Sequence, residues 1–442
     1  MKKMSYKNIL SIVVILLNVT IGLSQELLTK DEAIRLALEN NYGIKIAKNN
    51  VEIAKNNASI YNSGFLPNVS ANAGANYNLD NSELTLQNGT ITENNGAESK
   101  VYNASIGLNY TLFDGLGRSY NYKKLKETYN LSELEAQTVI ENSLLQVFSL
   151  YYEVGRLTED TEIITESLII SKQRLLRANY AFEFGQNTKL QVLNAEVDVN
   201  NDSIQYMNTK RLLANSKRDL NLLLGRNVNT TFSVETAVDF NLVFELNTLL
   251  EKAKNYNIEM QKVNKSLELS AFDIKINQSN LFPSLSLNSS YGFNKSDNDT
   301  SFNYAEQLTK GLNAGISLNW NLFDGGATKT RVQNAKVYED NLKVQKEQIL
   351  NTLERNVANA LEVYNNSLFI LKSEDKNVET NKNNFSRTEE KFKLGQITSI
   401  EFRQAQINLL NAQSNLNVAK YDAKNAELNL LQLSGELLNT NF

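Results

Sequence analysis

The sequence predicts a mainly α-helical chain that also contains four membrane-crossing β-strands and is built by an internal duplication. Only two prolines occur among 442 residues, so long stretches carry no helix breaker. Four segments of about ten residues alternate apolar and polar side chains, which is typical of strands with two different faces. The motif Leu-Phe-Asp-Gly occurs at 112–115 and again at 322–325. These observations indicate two similar halves, each with long helices and two strands.

Other repeated residues set the limits of the two halves. The turn sequence Phe-Gly-Gln at 184–186 returns as Leu-Gly-Gln at 394–396, which is again 210 residues later. The two prolines are 216 residues apart, so six extra residues lie between Pro67 and the first Leu-Phe-Asp-Gly motif. We therefore predict a first structural repeat over 25–235 and a second over 236–442. The repeated glycines are Gly185 with Gly395 and Gly225 with Gly435.

Residues 1–24 are predicted to be a cleavable secretory signal. They carry three lysines near the start, an apolar run from Ile9 to Leu17 and the small-residue cleavage site Gly22-Leu23-Ser24. An uncleaved membrane anchor would need about 18 apolar residues, and Ser11 and Asn18 interrupt the run. The chain is therefore expected to be exported.

The composition excludes most classes of enzyme. The sequence has no histidine and no cysteine, so it lacks imidazole bases, thiolate metal ligands, disulfides and a residue for a lipid anchor. Acidic residues exceed basic ones, 49 against 45, which makes nucleic acid a poor partner. Carboxylate or Ser-Lys catalysis stays open in principle, but no motif places such groups together. We predict no catalytic residues, no cofactor and no metal site.

Helix start and stop signals predict six helical regions. Asp114 and Asp324 are candidate N-caps of two very long helices, each of which ends at a glycine suited to a C-cap. The first region is expected to break near Tyr42-Gly43. Ser/Thr-x-x-Glu/Gln capping boxes stand at 29–32, 188–191, 248–251 and 398–401. The predicted helices cover 29–64, 115–184, 188–224, 248–280, 325–394 and 398–434.

The four strands are predicted over 67–77, 101–113, 283–294 and 311–323. The segment from Tyr102 to Leu112 alternates apolar residues with Asn, Ser, Gly and Thr, and Leu312 to Leu322 does the same. Alternation by itself is more typical of a soluble sandwich. Export and the asparagine-rich polar face favour strands that cross an outer membrane, with Tyr110 and Trp320 at the interface.

Four strands are too few for a closed membrane barrel, because the smallest such barrels have about eight. The barrel must therefore be shared between copies of the chain. A dimer would supply eight strands and a trimer twelve, and only the wider barrel leaves an aqueous lumen of useful size. We adopt a homotrimer as the hypothesis.

The sequence resembles the TolC-like outer-membrane efflux protein family along nearly all of the mature chain. The resemblance runs from Leu28-Thr29-Lys30-Asp31-Glu32-Ala33-Ile34 to Gly435 and is most specific at Trp320-Asn321-Leu322-Phe323-Asp324-Gly325-Gly326. It implies a homotrimer with a 12-stranded β-barrel in the outer membrane and an α-barrel extending into the periplasm. Members of this family are passive exit ducts of efflux or type I secretion systems, without catalytic residues. Their partners are a periplasmic adaptor protein and an inner-membrane transporter.

The resemblance also assigns candidate site residues. Glu401 matches a position where carboxylates ring the closed end of the pore, and its other role is the acid of its capping box. Ile397 replaces a basic residue that holds some members shut. The pore gate candidates are Glu401, Gln404 and Gln191. The adaptor-contact tip is Gly185, Gln186, Thr188, Gly395, Gln396 and Thr398. The strand-to-helix junctions are Pro67, Asp114, Gly115, Pro283, Asp324 and Gly325.

Two alternatives stay open at this point. Within transport, the exported molecules could be proteins instead of small toxic compounds, and the sequence does not separate the two. From another class, a secreted or periplasmic coiled-coil structural or adaptor protein would account for the long helices. It would not account for four amphipathic strands of membrane length at duplicated positions.

Overall fold

A computed structural model describes residues 26–240, 243–299 and 304–439. The predicted signal segment at 1–24 lies outside these ranges. The strands are β1 (Glu26–Leu28), β2 (Asn68–Thr85), β3 (Ile91–Asp114), β4 (Phe232–Val234), β5 (Ser284–Asn298) and β6 (Glu306–Asn319). The helices are α1 (Lys30–Asn40), α2 (Tyr42–Asn57), α3 (Gly117–Glu183), α4 (Lys189–Leu223), α5 (Leu246–Tyr256), α6 (Ile258–Ser279), α7 (Ala327–Lys393) and α8 (Ser399–Ser434), with short 3₁₀ turns at Ile60–Asn62 and Leu437–Asn439.

The chain divides into two compact units that do not coincide with the sequence repeats. Among the described residues, the helical unit consists of 26–49, 134–240, 243–261 and 348–439, and the strand unit of 50–133, 262–299 and 304–347. Each unit therefore draws on both halves of the sequence, because the two repeats fold together. Among the described residues, no helix combines the length with the apolar composition that crossing a lipid bilayer requires.

Two apolar cores hold the helical unit together. The first joins α1, α3, α4 and α8 around the fully buried Tyr151, Tyr152 and Tyr421. Tyr151 Oη donates to Leu28 O at 2.9 Å and accepts from Glu235 N at 3.1 Å, next to the parallel pair of β1 and β4. The second core packs α5, α7 and α8 around Tyr364. Each fully buried side chain of this size contributes about 2–3 kcal/mol through loss of apolar surface from water.

Twin asparagines split the two shorter helical regions. The break expected near Tyr42-Gly43 in the region 29–64 is confirmed, because α1 ends at Asn40 and α2 begins at Tyr42. The region predicted over 248–280 also breaks, at Asn257, which was not predicted. Asn41 Nδ2 donates to Leu223 O at 2.8 Å, while its Oδ1 accepts from Ile44 N at 3.1 Å. Asn257 Nδ2 likewise donates to Leu433 O at 3.1 Å. Each side chain starts a new helix and binds a carbonyl at the end of a long one, a long-range contact that local patterns do not reveal.

The predicted helix start at 248 is corrected by the structure. The capping pair at 248–251 does not begin its helix, because α5 starts at Leu246 with Glu245 as N-cap. Glu245 lies 216 residues after Thr29, whose side chain accepts from Glu32 N at 3.3 Å. The 216-residue separation of the two prolines therefore identifies the position equivalent to Thr29. The recurrence of a Thr-x-x-Glu pair does not.

The glycines after α4 and α8 lie against the backbone of the neighbouring short helices. Gly225 has φ +65°, and a Cβ at this position would lie 2.4 Å from Asn40 O. Gly435 has φ +76° and meets the backbone of Tyr256 at 2.6 Å in the same way. Both positions therefore need glycine for its positive φ and for its lack of a side chain.

We expect Gly225→Ala to lower the melting temperature of the purified protein by about 2–4 °C. Left-handed strain costs about 1–2 kcal/mol, and displacing a packed backbone adds a similar amount. Gly185→Ala is the matched control, because Gly185 also has positive φ but nothing lies within 4 Å of its added Cβ. Equal losses of melting temperature in the two variants would show that the close backbone contact does not matter.

The strand unit contains one antiparallel sheet in the order β2-β3-β5-β6. The strands predicted over 67–77 and 101–113 are longer, because a polar ladder from Asn78–Ser99 to Thr85–Ile91 continues the hairpin beyond the apolar alternation. The strand predicted over 311–323 instead runs from Glu306 to Asn319. Trp320 lies just outside it and donates from Nε1 to Leu281 O at 3.2 Å.

The register aligns the apolar residues of all four strands on one face. Ala71 pairs with Ile106, Ile106 with Tyr291, and Tyr291 with Leu312, which forms one row across the sheet. The polar residues form the other face, for example Ser70, Gly107, Ser290 and Asn313 in a neighbouring row. Ile106 is 60% exposed and Leu312 is 72% exposed. An apolar face as exposed as this one is unfavourable in water and indicates contact with a membrane or with another protein surface.

Candidate functional site

Two tight turns of the same geometry connect the long helices within each half. In the α3–α4 turn, Gly185 has φ +74° and Gln186 N donates to Ala181 O at 2.7 Å. In the α7–α8 turn, Gly395 has φ +72° and Gln396 N donates to Lys391 O at 2.9 Å. This closing bond is the Schellman arrangement, in which a left-handed residue lets the chain leave the helix and turn back.

The two turns differ in how the next helix is capped. In the α7–α8 turn, Glu401 Oε2 accepts from Thr398 N and Oγ1, each at 2.8 Å, and Glu401 N donates to Thr398 Oγ1 at 3.2 Å. This complete capping box confirms the sequence prediction. The hydrogen bonds from Thr398 hold the pKa of Glu401 below its ordinary value. The box predicted at Thr188 is wrong, because the Thr188 side chain makes no capping bond to α4.

Aromatic side chains and two arginines hold the α7–α8 turn against helix α3. The ring of Phe402 is buried and stacks on Phe392, with 4.6 Å between ring centroids. Arg177, on α3, lies over the Phe392 ring at 5.1 Å and donates to Lys393 O at 2.9 Å. Arg174, one turn earlier on α3, pairs with Asp198 of α4 and donates to Ser399 O at 3.3 Å. The first hairpin therefore contacts the beginning of α8 directly.

A buried polar cluster lies one turn further along α8. Arg403 binds Asp202 of α4 through two bonds, Nη2 to Oδ1 at 2.6 Å and Nη1 to Oδ2 at 2.8 Å. Ser171 of α3 donates to Asp202 Oδ2 at 2.5 Å. Gln406 Nε2 donates to Ser171 Oγ at 3.0 Å and to Ser167 O at 2.8 Å. We call Arg403, Asp202, Ser171 and Gln406 the interhairpin cluster, because it joins α3 and α4 to α8.

The interhairpin cluster was not predicted from the sequence. Asp202 is only 3% exposed, although charged residues are rarely buried to this degree unless they are paired. It follows the buried Val192 and Ala195 at helical spacing on α4, so it is a charge at a core position. A charge at a core position was the signal available in the sequence. It does not identify the partner, because Arg403 lies 201 residues away.

A model of the family described as outer membrane efflux protein matches residues 33–226 and 249–436. The two matched segments cover both halves of the sequence and most of the chain. The chain belongs to the outer membrane efflux protein family. This membership confirms the resemblance found in the sequence, and with it the predicted fold class, the location at the outer membrane and the function in efflux.

Individual members of the efflux protein family show the extent of the similarity. The chain is 23% identical over 384 residues to outer membrane protein TolC of Vibrio cholerae, which covers 85% of this chain and 83% of the relative. It is 23% identical over 413 residues to the probable efflux pump outer membrane protein TtgC of Pseudomonas putida, covering 91% and 82%.

Solved structures show the same fold. The Campylobacter jejuni CmeC outer membrane channel superposes with a TM-score of 0.76 at 18% identity and covers 92% of this chain and 86% of that one. The open state of the Neisseria gonorrhoeae MtrE outer membrane channel gives 0.70 at 18% identity, covering 92% and 89%.

The gate candidates of this efflux protein lie at the beginning of the two helices that follow the turns. Glu401 and Gln404 are exposed and one turn apart on α8, and Gln404 Nε2 donates to Asn408 Oδ1 at 2.8 Å. Gln191 lies on α4 at the position equivalent to Glu401 and is also exposed. Within the described ranges, no cluster of three or more acidic residues is arranged to hold a metal ion.

The junction candidates of the efflux protein lie in the strand unit. Pro67 and Pro283 directly precede β2 and β5, where a residue without an N–H is tolerated. Asp324 Oδ2 accepts from Thr328 N and Oγ1, each at 2.7 Å, and so caps the first turn of α7. Asp114 Oδ2 accepts from Arg118 N at 3.0 Å. Gly115 and Gly325 have φ +66° and +69°, which turns the chain between the strand and the helix.

Proposed function

We propose that three copies of this chain form one closed outer-membrane channel. The observation that carries the proposal is the four-stranded sheet, which has an exposed apolar face and two edges, β2 and β6, that pair with no other described strand. The exposed apolar face is unfavourable in water, and the unpaired strand edges are unfavourable in lipid. A bilayer around the sheet covers the face, and other copies of the chain pair with the edges and complete the wall. Because the sheet is antiparallel throughout, β6 of one copy can pair with β2 of the next without reversing the alternation.

The number of copies follows from the width of the lumen. Two copies would give eight strands, whose interior is about wide enough for side chains alone, whereas three give twelve strands and room for water. A homotrimer with a 12-stranded β-barrel and a helical α-barrel is therefore the assembly that supports transport. A coiled-coil structural or adaptor protein would leave the apolar sheet face without a purpose.

Cross-linking tests this assembly, and the absence of cysteine from the sequence makes it clean. Ser70 on β2 and Asn313 on β6 lie on the polar face at opposite edges, so within one sheet they are three strand spacings apart, about 14 Å. We expect the Ser70→Cys and Asn313→Cys double variant to give covalent dimers and trimers with a bismaleimide linker shorter than that distance. The single variants are controls and should stay monomeric after denaturation. Absence of covalent oligomers in membranes would contradict the trimer.

The channel acts as a passive conduit that receives its substrate from a periplasmic adaptor and an inner-membrane transporter. Several relatives are described as components of an efflux pump, which supports this role over protein secretion. The lack of histidine and cysteine supports transport without catalysis and without a cofactor. The adaptor binds the exposed turns, through Gly185, Gln186 and Thr188 in the first and Gly395, Gln396 and Thr398 in the second.

The gate lies at these same turns, with Glu401, Gln404 and Gln191 facing the pore. Three Glu401 carboxylates in a trimer would favour cations over anions. Because Ile397 is not basic, closure depends on a different contact, and the interhairpin cluster is well placed to provide it. Its Arg403 holds the start of α8 against α3 and α4.

Glu401→Gln is expected to lower the cation-to-anion permeability ratio of the channel roughly threefold. Glutamine removes the charge at nearly constant volume, and the melting temperature of the variant reports any weakening of the Thr398 capping box. Because the pKa of Glu401 is held below its ordinary value of 4.5, the parent protein should keep its cation preference when the pH falls through that value. Reversal potentials in planar bilayers measure both effects. Glu390→Gln, at an exposed site on α7, is the control, and unchanged selectivity in Glu401→Gln would assign that residue to capping alone.

A further inference from the structure

A large cavity in the helical unit lies among α3, α7 and α8, away from the turns described above. Its volume is about 930 Å³, near the upper end of the range for small-molecule pockets. Its apolar lining comes from all three helices and includes Ile163, Leu371 and Leu416. A passive conduit does not require a side cavity of this kind. The residues that line the cavity therefore indicate a binding function that is separate from conduction.

The charged residues at the cavity are mainly acidic. Glu159 is already paired with Lys420, at 2.6 Å from Oε1 to Nζ. Glu162 and Glu166 also line the cavity on the same face of α3, and both are exposed. Neither has a hydrogen bond or an ion pair to any described residue, so both carboxylates are available to a cation. Asp375, on α7, adds a fourth carboxylate to the lining, against two lysines, Lys372 and Lys420.

A buried acceptor without a partner also lines the cavity. Asn417 is 4% exposed, and its Nδ2 donates to Asp160 Oδ1 and to Arg156 O, each at 2.8 Å. Its Oδ1 has no hydrogen-bond partner among the described residues. A buried acceptor without a donor costs about 1–3 kcal/mol, and an N–H donor in the cavity would remove that cost.

We infer that this cavity binds an amphiphilic organic ammonium ion. The apolar part of the ligand lies on Ile163, Leu371 and Leu416, the positive charge lies near Glu162 and Glu166, and an N–H group is directed toward Asn417 Oδ1. A neutral or anionic compound of the same shape lacks the charge that the carboxylates select. A ligand without an N–H leaves the Asn417 acceptor without a partner.

Binding of dansylcadaverine, a fluorescent primary amine, tests the inference on the full-length protein in lipid nanodiscs. We expect saturable binding that weakens as salt rises, and no saturable binding of a neutral dansyl amide of similar size. The double variant Glu162→Gln and Glu166→Gln should bind the amine about tenfold more weakly. The double variant Glu135→Gln and Glu362→Gln carries the same net charge change at exposed sites outside the cavity and should bind as the parent does.

Leu371→Trp supplies a second readout, because a larger side chain fills the cavity without changing its charge. It should abolish saturable binding, while the melting temperature shows that the variant is folded. Equal binding of the neutral amide would overturn the inference, and so would equal weakening in both double variants. A cavity that is occupied instead by a helix of a partner protein would give no saturable amine binding in the parent. Single-channel conductance of the same preparations tests the proposed function separately, since an open channel without amine binding contradicts only the ligand site.

Discussion

Arg403→Met is expected to leave the channel open and less stable. The substitution removes both bonds to Asp202 and leaves a carboxylate that is 3% exposed without its cation, a change that typically costs about 3–5 kcal/mol. Ser171 would still donate to Asp202, but a neutral hydroxyl does not compensate a buried charge. Because Arg403 joins α8 to both helices of the first hairpin, its loss should free the start of α8. The expected result is a severalfold rise in mean conductance in planar bilayers and a melting temperature lower by several degrees.

Two further variants separate the contact from the charge. In the double variant Arg403→Met and Asp202→Leu the buried carboxylate is gone, and replacing a buried pair by apolar residues is often neutral or stabilising. Its melting temperature should therefore return close to that of the parent. Arg387→Met, at an exposed site on α7, removes an arginine outside the interhairpin cluster and should change neither property. A melting temperature that falls in Arg403→Met while conductance stays low would mean that the cluster stabilises the fold without closing the channel.

The turns show which parts of the site could be predicted from sequence. Gly395 and the capping box of Thr398 with Glu401 were recognisable because each feature is local, within about one helical turn. The same reasoning failed at Thr188, where the acid at the third position is replaced by the neutral Gln191 and the side chains make no box. A charged acceptor binds the free N–H groups of a helix start more strongly than a neutral amide, which explains the difference.

The long-range contacts could not be predicted, for a physical reason. Asn41 looks like an ordinary polar residue near a helix end, and its bond to Leu223 O depends on how two distant helices pack. Arg403 and Asp202 are likewise brought together only by the packing of the two hairpins. Duplication gave partial help, since Asn257 repeats the role of Asn41, but Asp202 has no acidic counterpart 210 residues later, at Ala412.

The strands could be predicted in part from the sequence. Alternation identified which residues share a face, because side chains point to opposite sides at every second position. It did not identify the strand ends, because the hairpin continues past Tyr77 through residues that are mostly polar and no longer alternate regularly. Backbone hydrogen bonds between strands do not require apolar side chains. The pattern of apolar residues therefore does not show where a strand of polar residues ends.

The apolar face of the sheet carries the second large prediction. Ile106→Arg together with Leu312→Arg should prevent assembly in the outer membrane. Both side chains lie in one row across the sheet and are mostly exposed in the single chain. An arginine that faces lipid near the bilayer midplane costs about 2–4 kcal/mol, so two in each of three copies are a heavy penalty. The fraction of heat-resistant trimer in outer-membrane preparations should fall at least about tenfold.

The matched control places the same charges on the opposite face of the same strands. Asn103→Arg and Asn313→Arg lie on β3 and β6, next in sequence to positions of the apolar rows, and both asparagines are exposed. If the apolar face contacts lipid and the asparagine face contacts water in the lumen, this variant should assemble normally and only alter ion selectivity. Equal tolerance of arginine on both faces would place the whole sheet in water and would remove the basis for a membrane barrel. Equal loss on both faces would instead indicate that the interior is too narrow for the added side chains, which contradicts a barrel of twelve strands.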